Sequence, residues 1–509
     1  MSTLLLQQRL ILLAVCITAI TMPFNFTAPA VALPAIGQSF GGSPMELSWV
    51  TNAFMLTFGS CLMLAGTLAD SYGRKKIFIG GVSAFALLAA ILPFAPSLVL
   101  FDVLRGAQGL AAALAFSGGM SALAQVFDGP GRLRAFSFVG TSFGIGLAVG
   151  PVVAGAIIEA FNWQLMFLLI TALAVISLVL AGRYMPESRN PDAAGIDWPG
   201  ALTFTWALGI FTFAILEVPE SSWTNPLVLG LFAVALLSFV AFVAIEKRVA
   251  QPMLDLSLFR YPRFVGVQLL AAAPAYSFVV LLILLPIRFV GIEGMSAIAA
   301  GWLLIALSAP LLVLPIVAGH LSRWLSPSTL SGTGLLVCAA GLYWLGQVPV
   351  GGGATELAWP MLVIGTGISL PWGLMDGMAV SVVPKERAGM ATGIFSTTRV
   401  AGEGVAIAVV TALLSAYTAG NLAGAADGDL ANVAGAAQHL ATGNLAGAER
   451  LLPDAGREVL AAAYSAAFSS LLWVLTLITV LTAAVVFLFL DRGAAEDTTA
   501  DDATLDHAA

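Results

Sequence analysis

Long apolar runs constrain this chain of 509 residues more than any other feature. They lie at 10–36, 46–69, 77–95, 97–126, 133–159, 162–184, 200–217, 226–246, 264–289, 296–319, 328–347, 357–382, 388–416 and 460–490. A helix crosses the hydrocarbon layer with about 20 apolar residues, so each run predicts one span. Only 10% of the residues are charged, against roughly 25% in a soluble domain, too few to cover a water-exposed fold of this length. The expected fold class is therefore all-α membrane, with 14 transmembrane helices.

The cations orient those spans. With the N-terminus inside, the inner connections hold Arg9, Arg74, Lys75, Lys76, Arg132, Arg134, Arg183, Arg189, Lys247, Arg248, Arg260, Arg263, Arg323, Lys385, Arg387 and Arg492. Arg288, Arg450 and Arg457 fall outside, and Arg105 and Arg399 lie within spans. Cytoplasmic loops carry such an excess of Lys and Arg. This predicts a bacterial plasma membrane protein with both termini cytoplasmic. A cleaved signal peptide is disfavoured, because the first run is too long for one.

Other chemistries find little support. Cys16, Cys61 and Cys338 lie inside apolar runs and form no regularly spaced framework. His320, His439 and His507 are scattered, so no metal site and no cofactor is expected. A net charge of −7 does not suit nucleic acid. No nucleophile–base pair or phosphate loop points to an enzyme. The expected partners are the bilayer, a small-molecule substrate and protons; an accessory periplasmic partner is left open.

Between the second and third runs lies Gly66-Thr67-Leu68-Ala69-Asp70-Ser71-Tyr72-Gly73-Arg74-Lys75-Lys76. It reads as a tight charged turn in which Gly66 and Gly73 allow close approach and unusual φ. Asp70 needs a partner at the membrane face, and Arg74 follows directly. The spacing resembles the loop 2–3 signature of the major facilitator superfamily, where this loop acts as a conformational switch. A weaker copy, Gly319-His320-Leu321-Ser322-Arg323, fits two similar bundles, as in transporters built from parallel repeats. The expected division is a six-helix bundle over 1–190, an inserted pair of helices 7 and 8 over 191–250, and a second bundle over 251–492. A mobile or partly helical outer loop over 417–459 and a disordered acidic tail over 493–509 complete it.

Two spans carry further signatures. Arg105-x-x-Gln108-Gly109 resembles the helix 4 signature of the superfamily, which implies that Arg105 tunes proton transfer. An arginine inside a span must face a cavity or a counter-charge. Asp102, three residues earlier on the same face, offers a self-neutralising pair as the alternative. In the fifth run, Gly146, Gly150 and Gly155 predict a smooth groove for a neighbouring helix, and Pro151 a bend. Gly146-x-x-x-Gly150-Pro151-x-x-Ala154-Gly155 resembles the antiporter signature of drug exporters, with Ala154 in place of a glycine. Trp163-Gln164, Met185-Pro186-Glu187-Ser188 and Asp197-Trp198-Pro199-Gly200 are similar to the fourteen-helix drug:proton antiporter branch.

That branch carries an aspartate in helix 1 where this sequence has Asn25, which cannot titrate. The proton carrier then lies elsewhere. Asp376 and Glu403 are the deep acids, with Arg399 one turn from Glu403. Asp376, lacking a fixed cation in sequence, and Glu403 are equally placed for the role. Asn25, Phe24, Phe26, Gln108, Trp372 and Met375 are the expected cavity lining, since soft apolar walls suit varied amphipathic molecules. The resemblance implies a proton-coupled exporter of small amphipathic compounds, including drugs, working by alternating access. The alternatives are an exporter or importer of one metabolite or siderophore, and a transport-inactive scaffold or sensor.

Overall fold

The computed structural model describes residues 2–41, 44–189, 197–221, 225–249, 252, 254, 256–383, 388–423 and 430–505. Among them there is no β-strand. The helices are α1 (Ser2–Phe40), α2 (Pro44–Tyr72), α3 (Arg74–Ile91), α4 (Leu98–Val126), α5 (Gly129–Ala160), α6 (Trp163–Tyr184), α7 (Trp198–Ser221), α8 (Pro226–Glu246), α9 (Pro262–Pro274), α10 (Val280–Pro286), α11 (Ala297–Ser308), α12 (Leu314–Leu321), α13 (Pro327–Gly346), α14 (Ala354–Ser381), α15 (Ala388–Leu422), α16 (Leu430–Ala441), α17 (Leu445–Leu451) and α18 (Gly456–Leu505). Thirteen apolar helical stretches are long enough to cross a bilayer, and the bent α5 makes a fourteenth. The chain is an integral membrane protein.

The sequence explains how these helices begin and bend. In lipid, the first N–H groups of a helix need partners within the protein. Side-chain oxygens supply them: Ser97 to Leu100 N, Asn162 to Leu165 N, Asp197 to Gly200 N, Asn225 to Leu227 N, Ser296 to Ala299 N and Ser326 to Thr329 N. Prolines interrupt the ladder because they lack an N–H. α5 bends by 43° between Gly131–Leu147 and Val152–Ala160, at the break that holds Pro151. After Pro274 and Pro286 the backbone widens into π-helical turns, Ala275–Val279 and Ile287–Ile292. These leave Pro262–Ile292 a single span.

The chain forms two compact units. The first comprises Met1–Gln268, Pro315–Trp324 and Trp372–Ala401; the second comprises Leu269–Leu314, Leu325–Pro371 and Gly402–Ala509. Within the first, α1 packs on α5 and α6, α2 on α4 and α7, α3 on α4 and α6, and α7 on α8. Within the second, α13 packs along α18, and α16 packs with α17. The segment over 417–459, expected outside, is mostly helical where it is described. Gly443 turns the chain at φ 78°, and Asn444 caps α17 through Gly447 N. α18 continues to Leu505, through residues for which composition predicted an irregular tail; Ala494, Ala495 and Glu496 are strong helix formers.

Candidate functional site

The polar centre of the first unit starts from Arg105 on α4, which is fully buried. Its Nε donates to Val50 O at 2.7 Å, Nη1 to Gln108 Oε1 at 2.8 Å, and Nη2 to Asn25 O at 2.8 Å. The guanidinium also lies 4.7 Å from the Phe54 ring centre, a favourable cation–π distance. One side chain thus joins α1, α2 and α4. The Asn25 carbonyl is free to accept because its helical partner four residues on would be Pro29, which has no N–H. That spacing is visible in the sequence, where only the Asn25 side chain suggests a role. Among the described residues no ion pair joins Asp102 to Arg105, and Asp102 Oδ1 is buried without a hydrogen bond. The self-neutralising alternative is not what forms.

Asn25 itself is fully buried, and neither Oδ1 nor Nδ2 finds a hydrogen-bond partner among the described residues. The Nε2 of Gln108 is likewise unmet. Buried polar groups without partners are uncommon and costly. Phe24, Trp372 and Met375 are buried; the Phe26 side chain lies outside the described residues.

A second deep cation, Arg399 on α15, faces Asp376 on α14. Arg399 Nη1 is 3.6 Å from Asp376 Oδ1, with both side chains at least nine-tenths buried. The pair is loose: neither Arg399 Nε nor Asp376 Oδ1 makes a hydrogen bond among the described residues. The sequence placed Asp376 without a fixed cation and Glu403 beside Arg399. The fold instead sets the guanidinium against Asp376, while Glu403 is half-buried on α15. Arg399 is also surrounded by rings, at 5.0 Å from Phe143, 5.9 Å from Phe395 and 6.0 Å from Phe116.

An aromatic row connects the two arginines. Phe54 stacks on Phe58 at 5.7 Å, and Phe58 meets Phe116 at 6.3 Å. Phe116 meets Phe143 at 6.2 Å, and Phe143 meets Trp372 at 6.4 Å. These are ordinary aromatic-pair separations. Sequence reading found Trp372 but missed the phenylalanines, which sit among 30 in the chain with no local signal to separate them.

The charged turn is shorter than the sequence suggested. α2 runs to Tyr72, so Gly66 is helical, and Gly73 alone carries the turn, at φ 117°. Arg74 donates from Nε and Nη2 to Asp70 Oδ1, at 3.0 and 2.8 Å. Asp70 Oδ2 accepts from Met390 N at 3.0 Å, in the first turn of α15, where an anion suits the helix dipole. Glu187 completes the turn. Its Oε1 accepts from Lys75 N at 3.2 Å, and Ser188 O accepts from Arg74 N at 2.9 Å. Met185-Pro186-Glu187-Ser188 is thus the strap over this turn, a role its sequence did not reveal.

In α5, two of the three signature glycines are needed for close approach. A Cβ on Gly146 would overlap Ile20 O, and one on Gly150 would lie 2.5 Å from Thr27 Oγ1, both on α1. A Cβ on Gly155 would meet nothing within 4 Å, so the expected groove stops at Gly150. The Pro151 side chain lies outside the described residues. On the same helix, Ser137 Oγ donates to Gly373 O on α14.

Comparison with known proteins agrees with this architecture. The chain is 29% identical over 394 residues to the multidrug resistance protein Stp of Mycobacterium tuberculosis, covering 77% of this chain and 73% of that one. It is 26% identical over 406 residues to the tetracenomycin C resistance and export protein of Streptomyces glaucescens, covering 79% and 75%. Its fold matches the crystal structure of the human organic anion transporter MFSD10 with a TM-score of 0.62, over 93% of this chain and 99% of that one. At 13% identity that likeness concerns the fold alone. The family model described as Major Facilitator Superfamily matches residues 15–407: the chain belongs to the major facilitator superfamily.

Proposed function

We propose that the protein exports small amphipathic organic compounds, drugs among them, in exchange for protons. The relatives named for multidrug resistance and for tetracenomycin C resistance and export support the direction and the substrate range. The observation that carries proton coupling is the loose Asp376–Arg399 pair. A buried carboxylate held tightly by a cation stays ionised; one held at 3.6 Å without a hydrogen bond has less to lose on protonation. Protonating Asp376 removes the counter-charge of Arg399 and leaves a guanidinium that must find other acceptors. Alternating access by the two bundles expected from the sequence, with helices 7 and 8 inserted, would follow this change of partner. Asp70 caps α15 through Met390 N on the side that carries the Lys and Arg excess, read as cytoplasmic. Glu403 is the second proton candidate, and Asp102 and Arg105 form the other pair of deep charges proposed to bear on proton coupling.

The test uses inverted membrane vesicles with an acidic lumen and a panel of fluorescent aromatic drugs. Accumulation should require the pH gradient and stop when an ionophore collapses it. Asp376→Asn should bind drug but accumulate it no faster with the gradient than without. Gradient-driven accumulation that survives in Asp376→Asn removes Asp376 as the carrier and transfers the role to Glu403→Gln for the same assay.

A further inference from the structure

The aromatic row and its flanking arginines bear on which drugs fit, an inference that rests on the export reading above. A lipophilic cation is usually held by the faces of aromatic rings and by a carboxylate. Here three of the five rings already carry a guanidinium: Arg105 lies 4.7 Å from Phe54, and Arg399 lies 5.0 Å from Phe143 and 6.0 Å from Phe116. Asp376, the carboxylate beside the row, faces Arg399. Position 25, where the resembling branch has an acid, is a neutral amide. Asp102 is half-buried one turn from Arg105 and outside the row.

Among the described residues, Arg399 Nε, Gln108 Nε2 and Asn25 Nδ2 are buried donors without acceptors, and the hydroxyl of Thr141 is unmet as well; the unmet acceptors beside them are Asn25 Oδ1 and Asp376 Oδ1, the second of which faces Arg399. A flat ring system bearing carbonyl, phenolic or carboxylate oxygen would stack along the row and satisfy those donors. A cation would bring like charge between two guanidinium groups and leave the donors unmet. We infer that the transported molecule is a planar aromatic compound, neutral or anionic, carrying acceptor oxygens, recognised by the row from Phe54 to Trp372 with Asn25, Gln108 and Arg399. The row is buried in this structure, so the molecule gains access through the alternation of the transport cycle.

Three anthracene derivatives of one shape test this: the carboxylate, the carboxamide and the aminomethyl cation. Each is titrated against purified full-length protein and read by fluorescence anisotropy. The carboxylate and carboxamide should bind about tenfold or more tightly than the cation. Arg399→Gln should remove the carboxylate's advantage while keeping the carboxamide. Asn25→Asp, a nearly isosteric change that does not touch Arg399, should bring the cation closer to the others. Equal or tighter binding of the cation overturns the inference, as does saturable binding of none of the three. Transport separates this from the export reading. PH-driven movement of the cation alone sinks the substrate class and leaves proton-coupled export standing. The expected binding order without any pH-driven movement does the reverse.

Discussion

Replacing Arg105 with lysine tests whether the deep arginine is a three-way joint or only a charge. Arg105 meets its three acceptors with three different nitrogens, Nε, Nη1 and Nη2. A lysine ammonium keeps the charge but is a compact point on a flexible stem, without the planar fork. It can hold one of the three acceptors, leaving two buried oxygens without their charged donor. At about 1.5–3 kcal/mol for each hydrogen bond to a charged group, Arg105→Lys should cost about 3–6 kcal/mol. Reversible unfolding of purified protein in mixed micelles measures this directly. Asn25 supplies an internal control. Pro29→Ala gives the Asn25 carbonyl its missing helical donor, so Arg105→Lys should cost about 1–2 kcal/mol less in that background. Equal stability of Arg105→Lys and wild type would refute the joint. An undiminished penalty beside Pro29→Ala would refute the part assigned to the Asn25 carbonyl.

Two further substitutions separate packing from mechanism. Gly73→Ala places a Cβ 2.7 Å from Glu187 Oε1 at φ 117°; it should cost about 1–3 kcal/mol in strain and slow drug accumulation in vesicles more than it weakens drug binding. Gly146→Ala should lower the thermal stability of purified protein sharply by forcing α1 off α5, whereas Gly155→Ala, facing open space, should be neutral or slightly stabilising.

The spans were legible because a bilayer admits few solutions: each apolar run had to be a helix, and each proline had to break a ladder. That is why the bend at Pro151 and the single span across Pro274 and Pro286 could be read from residue types alone. The deep charges were legible as charges but not as partners. Arg399 was read with Glu403, one turn away on the same helix, because i,i+4 spacing is the only proximity a sequence displays. The fold sets it against Asp376, on another helix and 23 residues earlier in the chain. Arg105 was likewise read with Asp102, yet its acceptors are mostly backbone carbonyls of α1 and α2. Backbone acceptors carry no residue signature unless something removes their own donor, as Pro29 does for Asn25. Glu187 was named only as part of a motif, since its place over Gly73 depends on how α6 ends beside α2.

The two buried arginines differ in a way that assigns them different work. Arg105 spends its donors on neutral oxygens from three helices, all at 2.7–2.8 Å. No proton uptake by those acceptors can release it, because carbonyl and amide oxygens do not titrate near neutral pH. Arg399 is held by one carboxylate at 3.6 Å and by ring faces, with Nε unspent. Protonation can weaken that hold, and a substrate oxygen can replace it. A transport cycle needs one element that stays put and one whose partner changes. In the proposed exchange Arg105 would meet the first requirement and the Asp376–Arg399 pair the second. In the proposed cycle a substrate with an acceptor oxygen and a proton on Asp376 would therefore act on the same guanidinium, and each would alter what the other gains by binding.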